Sequence, residues 1–299
     1  MAPPLTSRKG SGGYHSPMPA DLTQRFLLEN LDIRGQVVRL GPLWRTILAR
    51  RRCPEPIRPL LGEFAALGVL IGAGLKHPGR AVLQVMGHGP VAMAVADCTR
   101  ELALRAMVRL DPGFEPQGAM PVPALFGDGR LALTLENAET ARHFQSIVPL
   151  EGASLAECFE RYFDRSEQVP THLWVHATAE NVGALILQKL PKADERDPDG
   201  WARIQQLAAR GDPSWLADMD PGPLVARLFP EDDIRLFEPL AVADGCGRSE
   251  DKVVSMLRGL GREEVEATLA EHGVVVVRDE ICNQEYRFAA PDVARIFAP

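Results

Sequence analysis

The 299-residue sequence predicts an α+β fold: a mixed core of antiparallel sheets and packed helices, a helical linker, and a small C-terminal helix–hairpin–helix module. Three observations carry the prediction. Apolar residues make up 45% of the chain, enough to form a core. From residue 82 to 190, apolar-alternating stretches follow one another around tight turns, which argues against strict βαβ winding. After Leu190 the texture changes to short amphipathic helices.

The elements follow in order. Residues 1–19 carry Arg8 and Lys9 with no apolar run behind them, and read as a disordered tail and not a signal or transit segment. LDIRGQVVRL (31–40) has strand spacing, with Gly35 as a candidate bulge. PLWRTILARR (42–51) puts Leu43, Ile47 and Leu48 on one helical face. IRPLLGEFAALGVLIGAGLK (57–76) is long and apolar. Its Arg58, Glu63, Lys76 and small residues make it a buried core helix, not a membrane span. VLQVMGHGPVAMAVAD (82–97) reads as a hairpin about Gly87-His88-Gly89-Pro90, with a further strand at 102–108. LFGDGRLALTLEN (125–137) turns at Gly127-Asp128-Gly129 in the same style. Ser154 and Glu157 form a capping box ahead of a helix whose one face holds Leu155, Cys158, Phe159, Tyr162 and Phe163. THLWVHA (171–177) and GALILQKL (183–190) are two more strands, which closes a core of 20–192.

Residues 193–239 form the linker. Its short helices carry Trp201, Trp215, Leu224 and Phe229 on apolar faces and are too short to stand alone. Residues 240–299 form the terminal module: two helices, with Gly273 closing the second, then strands 274–280 and 284–288, then a final helix.

The charge is uneven. Residues 231–299 hold 15 acids and 8 bases, whereas residues 1–230 hold 25 of each, so the whole net charge of −7 sits at the C-terminal end. An acidic terminal module argues against sequence-independent nucleic-acid binding, and no apolar run is long enough to span a membrane. The expected setting is the cytoplasm.

No catalytic constellation is specified. Gly72-Ala-Gly74 lacks the third glycine and preceding strand of a dinucleotide loop and fits close helix packing. His172 and His176 lie four apart in a strand, without metal-ligand spacing. Of the five cysteines, Cys98 and Cys158 read as small buried apolar residues. Arg50, Arg51 and Arg52 could lower the thiol pKa of Cys53, but it is given no functional role. The chain is therefore not read as an enzyme. The sharper pattern is Cys246-Gly-Arg248, followed some thirty residues later by Asp279-Glu-Ile-Cys282: a C-x-C and C-x-x-C knuckle with two positions replaced.

At this point QRFLLENLDIRGQVVRL (24–40), LLGEFAALGVLIGAGLK (60–76), GHGPVAMAVADC (87–98) and SIVPLEGASLAECFERYFDRSEQVPTHLW (146–174) resemble the Hsp33 family of redox-regulated heat-shock chaperones. The terminal helix–hairpin–helix with Tyr286-Arg287-Phe288 resembles it too. The resemblance implies an ATP-independent holdase with a four-cysteine zinc site. Oxidation there forms two disulfides, releases zinc, unfolds the module and linker, and exposes apolar surface to unfolded clients. It also implies that the active form can dimerise.

The departure lies at the switch. Cys246 and Cys282 match the first and fourth ligand positions, while Arg248 and Asp279 replace the second and third. A guanidinium cannot ligate Zn²⁺ and a carboxylate can. The expectation is a metal-free module held by packing and an Arg248–Asp279 ion pair. A Cys246–Cys282 disulfide, or weak zinc binding by Cys246, Cys282 and Asp279, stays open beside it. Client binding is expected on Trp201, Trp215, Leu224 and Phe229, with heat as trigger or constitutive activity. A non-chaperone adaptor with the same fold is the other reading.

Overall fold

The structure is a computed structural model that describes residues 18–298; the tail expected at 1–19 lies almost wholly outside the described residues. Its first part runs β1 (Leu22–Leu28), β2 (Ile33–Leu40), α1 (Pro42–Arg50), a 3₁₀ turn (Glu55–Ile57), α2 (Arg58–Gly72), β3 (Gly79–Met86), β4 (Val91–Thr99), β5 (Ala103–Leu110), α3 (Val122–Phe126), β6 (Arg130–Asn137), β7 (Arg142–Val148), α4 (Leu155–Ser166), β8 (Thr171–Ala177) and β9 (Val182–Lys189). Then come α5 (Ala193–Arg196), α6 (Gly200–Arg210), α7 (Pro213–Asp218), α8 (Pro221–Leu228), β10 (Ile234–Leu236), β11 (Leu240–Ala241) and β12 (Ala243–Asp244). The chain closes with α9 (Glu250–Leu260), α10 (Arg262–His272), β13 (Val275–Asp279), β14 (Gln284–Phe288) and α11 (Ala290–Ile296). No helix among the described residues is long and apolar enough to cross a membrane.

Sheet 1 has the order β10-β1-β2-β9-β8, with β11 also on β1; sheet 2 has the order β12-β5-β4-β3-β6-β7. All their ladders are antiparallel except β12–β5. Helix α2 lies between the sheets, buried along most of its length, because its small residues let the strands come close: Gly68 faces Ala96 and Gly72 faces Cys98. This accounts for Gly72 as a packing residue, whereas Gly74 meets only the backbone of its own preceding turn. The Ser154 hydroxyl accepts the Glu157 N–H (3.2 Å) and opens α4 as expected. The return arm is displaced by one residue, with the Glu157 carboxylate accepting the Ala153 N–H (2.9 Å).

Two local expectations change. Gly35 makes no bulge: β1 and β2 pair in unbroken register, and the missing side chain leaves room for the Phe26 ring across the ladder. Leu125 and Phe126 end α3 instead of lying in a strand, since Val122, Leu125 and Phe126 turn inward together at helical spacing.

Sheet 1 is apolar on both faces. Val38, Leu40, Val182, Ala184 and Ile186 face the main core with α2 and α4, while Val37, Leu185 and Leu187 face α6 and α8 with Phe26 and Phe229. A strand buried on both sides reads as a continuous apolar run, as GALILQKL does. The terminal module has its own small cluster of Leu257, Val265, Val275, Tyr286, Phe288, Val293 and Ile296.

Candidate functional site

The terminal knuckle is assembled from two short turns. Asp244, two residues before Cys246, accepts the Cys246 N–H through its side chain (2.9 Å), and Asp279, three residues before Cys282, accepts the Cys282 N–H (3.0 Å). Aspartate caps a turn in this way because its short side chain reaches its own downstream backbone. Asn283 closes the second turn in the left-handed region, φ 54°. With both loops fixed, Cys246 and Cys282 are paired as a disulfide, Cα atoms 5.4 Å apart and both residues buried.

The second of the three open states is therefore the one the structure takes, and the expected Arg248–Asp279 ion pair is corrected. Asp279 turns its other oxygen to Arg105 of β5 (3.5 Å). The Arg248 guanidinium lies instead over the Tyr286 ring, 5.3 Å from its centroid. Arg105 wins because β5 carries it to the face where the 279–283 turn docks; it also pairs with the buried Asp97. Cation–π packing keeps Arg248 satisfied without a carboxylate.

Residues outside the knuckle complete the dock. Arg109 reaches the Glu280 carboxylate (3.2 Å), and Arg51 donates to the Glu280 carbonyl. The Asn283 amide donates to the Arg50 carbonyl (2.6 Å), and Arg50 pairs with Asp244. Gln284 donates to the Cys246 carbonyl (2.7 Å) and accepts the Tyr286 hydroxyl (2.9 Å). Burial, with Arg278 and Arg109 adding to it, lowers the Arg51 pKa against the opposing pull of Glu280 and Asp279. Sequence reasoning missed Asp244, Glu280, Arg105 and Arg109. The aspartate spacings ahead of each cysteine were a usable signal, whereas the arginine partners lie some 170 residues away.

The other thiols are not competitors. Burial pushes Cys53 up to about 11, against the opposing charge of Arg58, in keeping with the reading that gave this thiol no functional role despite its flanking arginines. Cys98 is pushed up to about 12 by burial and by the nearby Asp97 and Glu101 charges. Cys158 is raised by burial as well. All three are free.

The donor set does not fit the zinc that the resemblance implies. Structural zinc takes four ligands in tetrahedral geometry. Here the two sulfurs bond each other, both Asp279 oxygens are engaged, and Arg248 offers only N–H groups. His272 lies beside Glu271 at the end of α10 (3.8 Å). Among the described residues no group of three or more His, Cys, Asp and Glu side chains is arranged to hold a metal.

The four linker residues lie together in a second place, on the outer face of sheet 1. Leu224 and Phe229 are fully buried there, and Phe229 packs on Phe26 with ring centroids 6.2 Å apart. Trp201 is partly buried against His172 (5.9 Å), which stacks on Trp174 (5.6 Å) and lies 3.3 Å from Glu160. Trp215 lies under the Arg227 guanidinium (3.9 Å). His172 is thus a contact beneath the linker, not a ligand. A cavity of about 320 Å³ lies at the β8 edge of this contact, lined by Trp174, Leu185, Leu216 and Leu224 and by Glu63 and Ala156 of the main core.

Two antiparallel-rich sheets around a central helix, a helical strap and a small module closed by a disulfide define an α+β protein of three packed parts. The family model described as Hsp33 protein matches residues 21–289. A 33 kDa chaperonin of Nitrosococcus oceani is 38% identical over 277 residues, covering 93% of this chain and 94% of that relative. Another, of Methylobacillus flagellatus, is 36% identical with the same coverage. The crystal structure of the 33 kDa chaperonin (heat shock protein 33 homolog) of Thermotoga maritima shares the fold. Its TM-score is 0.78 at 21% identity, over 93% of this chain and 97% of that one. The chain belongs to the Hsp33 family.

Proposed function

We propose that this chain is an ATP-independent holdase that binds unfolding proteins and prevents their aggregation, with redox regulation altered by the loss of two of the four family cysteines. The observation that carries the reading is the double-sided apolar character of sheet 1, whose outer face is covered, among the described residues, by the linker. The linker helices are short, 11, 6 and 8 residues for α6, α7 and α8, and such helices persist only while docked. Lifting the linker would bare Phe26, Val37, Leu185 and Leu187 on the sheet and Trp201, Trp215, Leu224 and Phe229 on the helices. A contiguous apolar patch of this kind suits the exposed core residues of an unfolding client. Family membership and the chaperonin relatives support the same reading.

The test is aggregation of a thermally unfolding client followed by light scattering without nucleotide, with the protein in its disulfide form and after reduction. Suppression of several unrelated clients in at least one form is expected. Suppression in neither form would refute the reading, and tight binding to a single folded partner would favour the adaptor.

A further inference from the structure

We infer that the Cys246–Cys282 disulfide is a latch of reversed polarity: the disulfide form is closed, and reduction by a dithiol opens it. The link to client binding rests on the holdase reading; the latch itself rests on the geometry of the dock.

The bond joins the β13–β14 turn to the residue that follows the β12–Gly245 segment, and that segment is held on the core. Ala243 and Asp244 pair with β5, and Gly245 donates to the Leu104 carbonyl (2.8 Å). On the turn side, Asp279, Glu280 and Asn283 are held by Arg105, Arg109, Arg51 and the Arg50 carbonyl. Every one of these contacts lies within three residues of a bonded cysteine. The Arg105–Asp279 and Arg50–Asp244 pairs are partly shielded, whereas the Arg109 and Glu280 side chains are 40% and 55% exposed. Ion pairs this accessible add little and are screened by salt. The covalent bond is what makes the dock lasting.

The dock in turn fixes the end of the strap. Between the last linker helix and Cys246 the chain is held by β10, β11 and β12, which are only three, two and two residues long. They cross from the edge of sheet 1 to the edge of sheet 2. Freeing Cys246 and the turn lets this strap peel from its far end toward α8 and the covered face.

The redox step balances. The dithiol gives two electrons to the S–S bond, which breaks; its two thiol protons end on the two Sγ atoms, and the dithiol becomes a disulfide. The remaining cysteines do not divert the exchange, since Cys98 and Cys158 are buried and Cys53 is partly buried.

The test uses the full chain at fixed salt, as the disulfide form and after dithiothreitol, with thiols counted in denaturant. Three thiols are expected before reduction and five after. On reduction, amide hydrogen exchange at 234–244 and 275–288 should quicken by about tenfold or more, while β3 and β4 hold steady. Client suppression should rise in parallel. The C246S/C282S double variant should match the reduced protein without any reductant. Equal exchange in the two forms, or faster exchange in the disulfide form, overturns the latch. An exchange change without client suppression in either form leaves the latch standing and removes the holdase reading.

Discussion

Glu63 sits midway along α2 and accepts the Leu155 N–H at the start of α4 (2.7 Å). Burial, with a smaller push from Glu157, raises its pKa to about 7, and the Leu155 and Ala156 N–H groups oppose the rise. A carboxyl whose folded pKa lies above its unfolded one is protonated first in the folded chain. Between about pH 4.5 and 7 the folded state therefore holds more protons, and stability falls as pH rises through that window. The swing is at most about 3 kcal/mol. Glu63→Gln keeps the acceptor oxygen, so denaturant unfolding of the variant between pH 5 and 8 should lose that slope relative to wild type; an unchanged slope would assign it elsewhere. At the same scale, Cys246 and Cys282 were legible as the two surviving knuckle positions, but their disulfide stood only as an alternative to a module held by packing and an Arg248–Asp279 pair. The fate of Arg248 and Asp279 was not, because it depends on which distant side chain, Arg105 or the Tyr286 ring, is brought beside each.

Among the elements, the long periodic ones were readable: α2, α4, the hairpin strands and the two module helices have enough repeats for an apolar face to show. The strap was not. Strands β10 to β12 have two or three residues each, too few for any period, and their partners in β1 and β5 lie more than 130 residues earlier. They nonetheless join the linker to both sheets. The linker helices were readable, and the fully buried Phe229 is their test. Phe229→Ala removes the ring packed on Phe26 and should cost about 3–5 kcal/mol if the linker is docked. Since the lost contact lies between layers, the expected signature is partial: faster exchange in α6 to α8 and a red-shifted tryptophan emission from Trp201 and Trp215, with β3 to β5 still protected. Uniform loss of protection would mean that the linker and core unfold as one unit.

For the molecule as a whole, burial falls into three clusters of unequal size, and this makes a claim about cooperativity. The main cluster spans both sheets and α2, the second lies between sheet 1 and the linker, and the third is confined to the terminal module. A module of this size lacks a core large enough for much independent stability, and the usual remedy is a metal or a disulfide. Here the disulfide spans 36 residues, which on the chain-entropy account is worth about 4 kcal/mol, most of what such a module can have. Calorimetry should therefore show two transitions under reducing conditions. The lower one, module and strap, should move up when the disulfide is formed and down when salt screens the arginine dock, while the upper one, the two-sheet core, stays in place. A single transition indifferent to both thiol state and salt would show that the terminal module takes its stability from the core and not from its own bond.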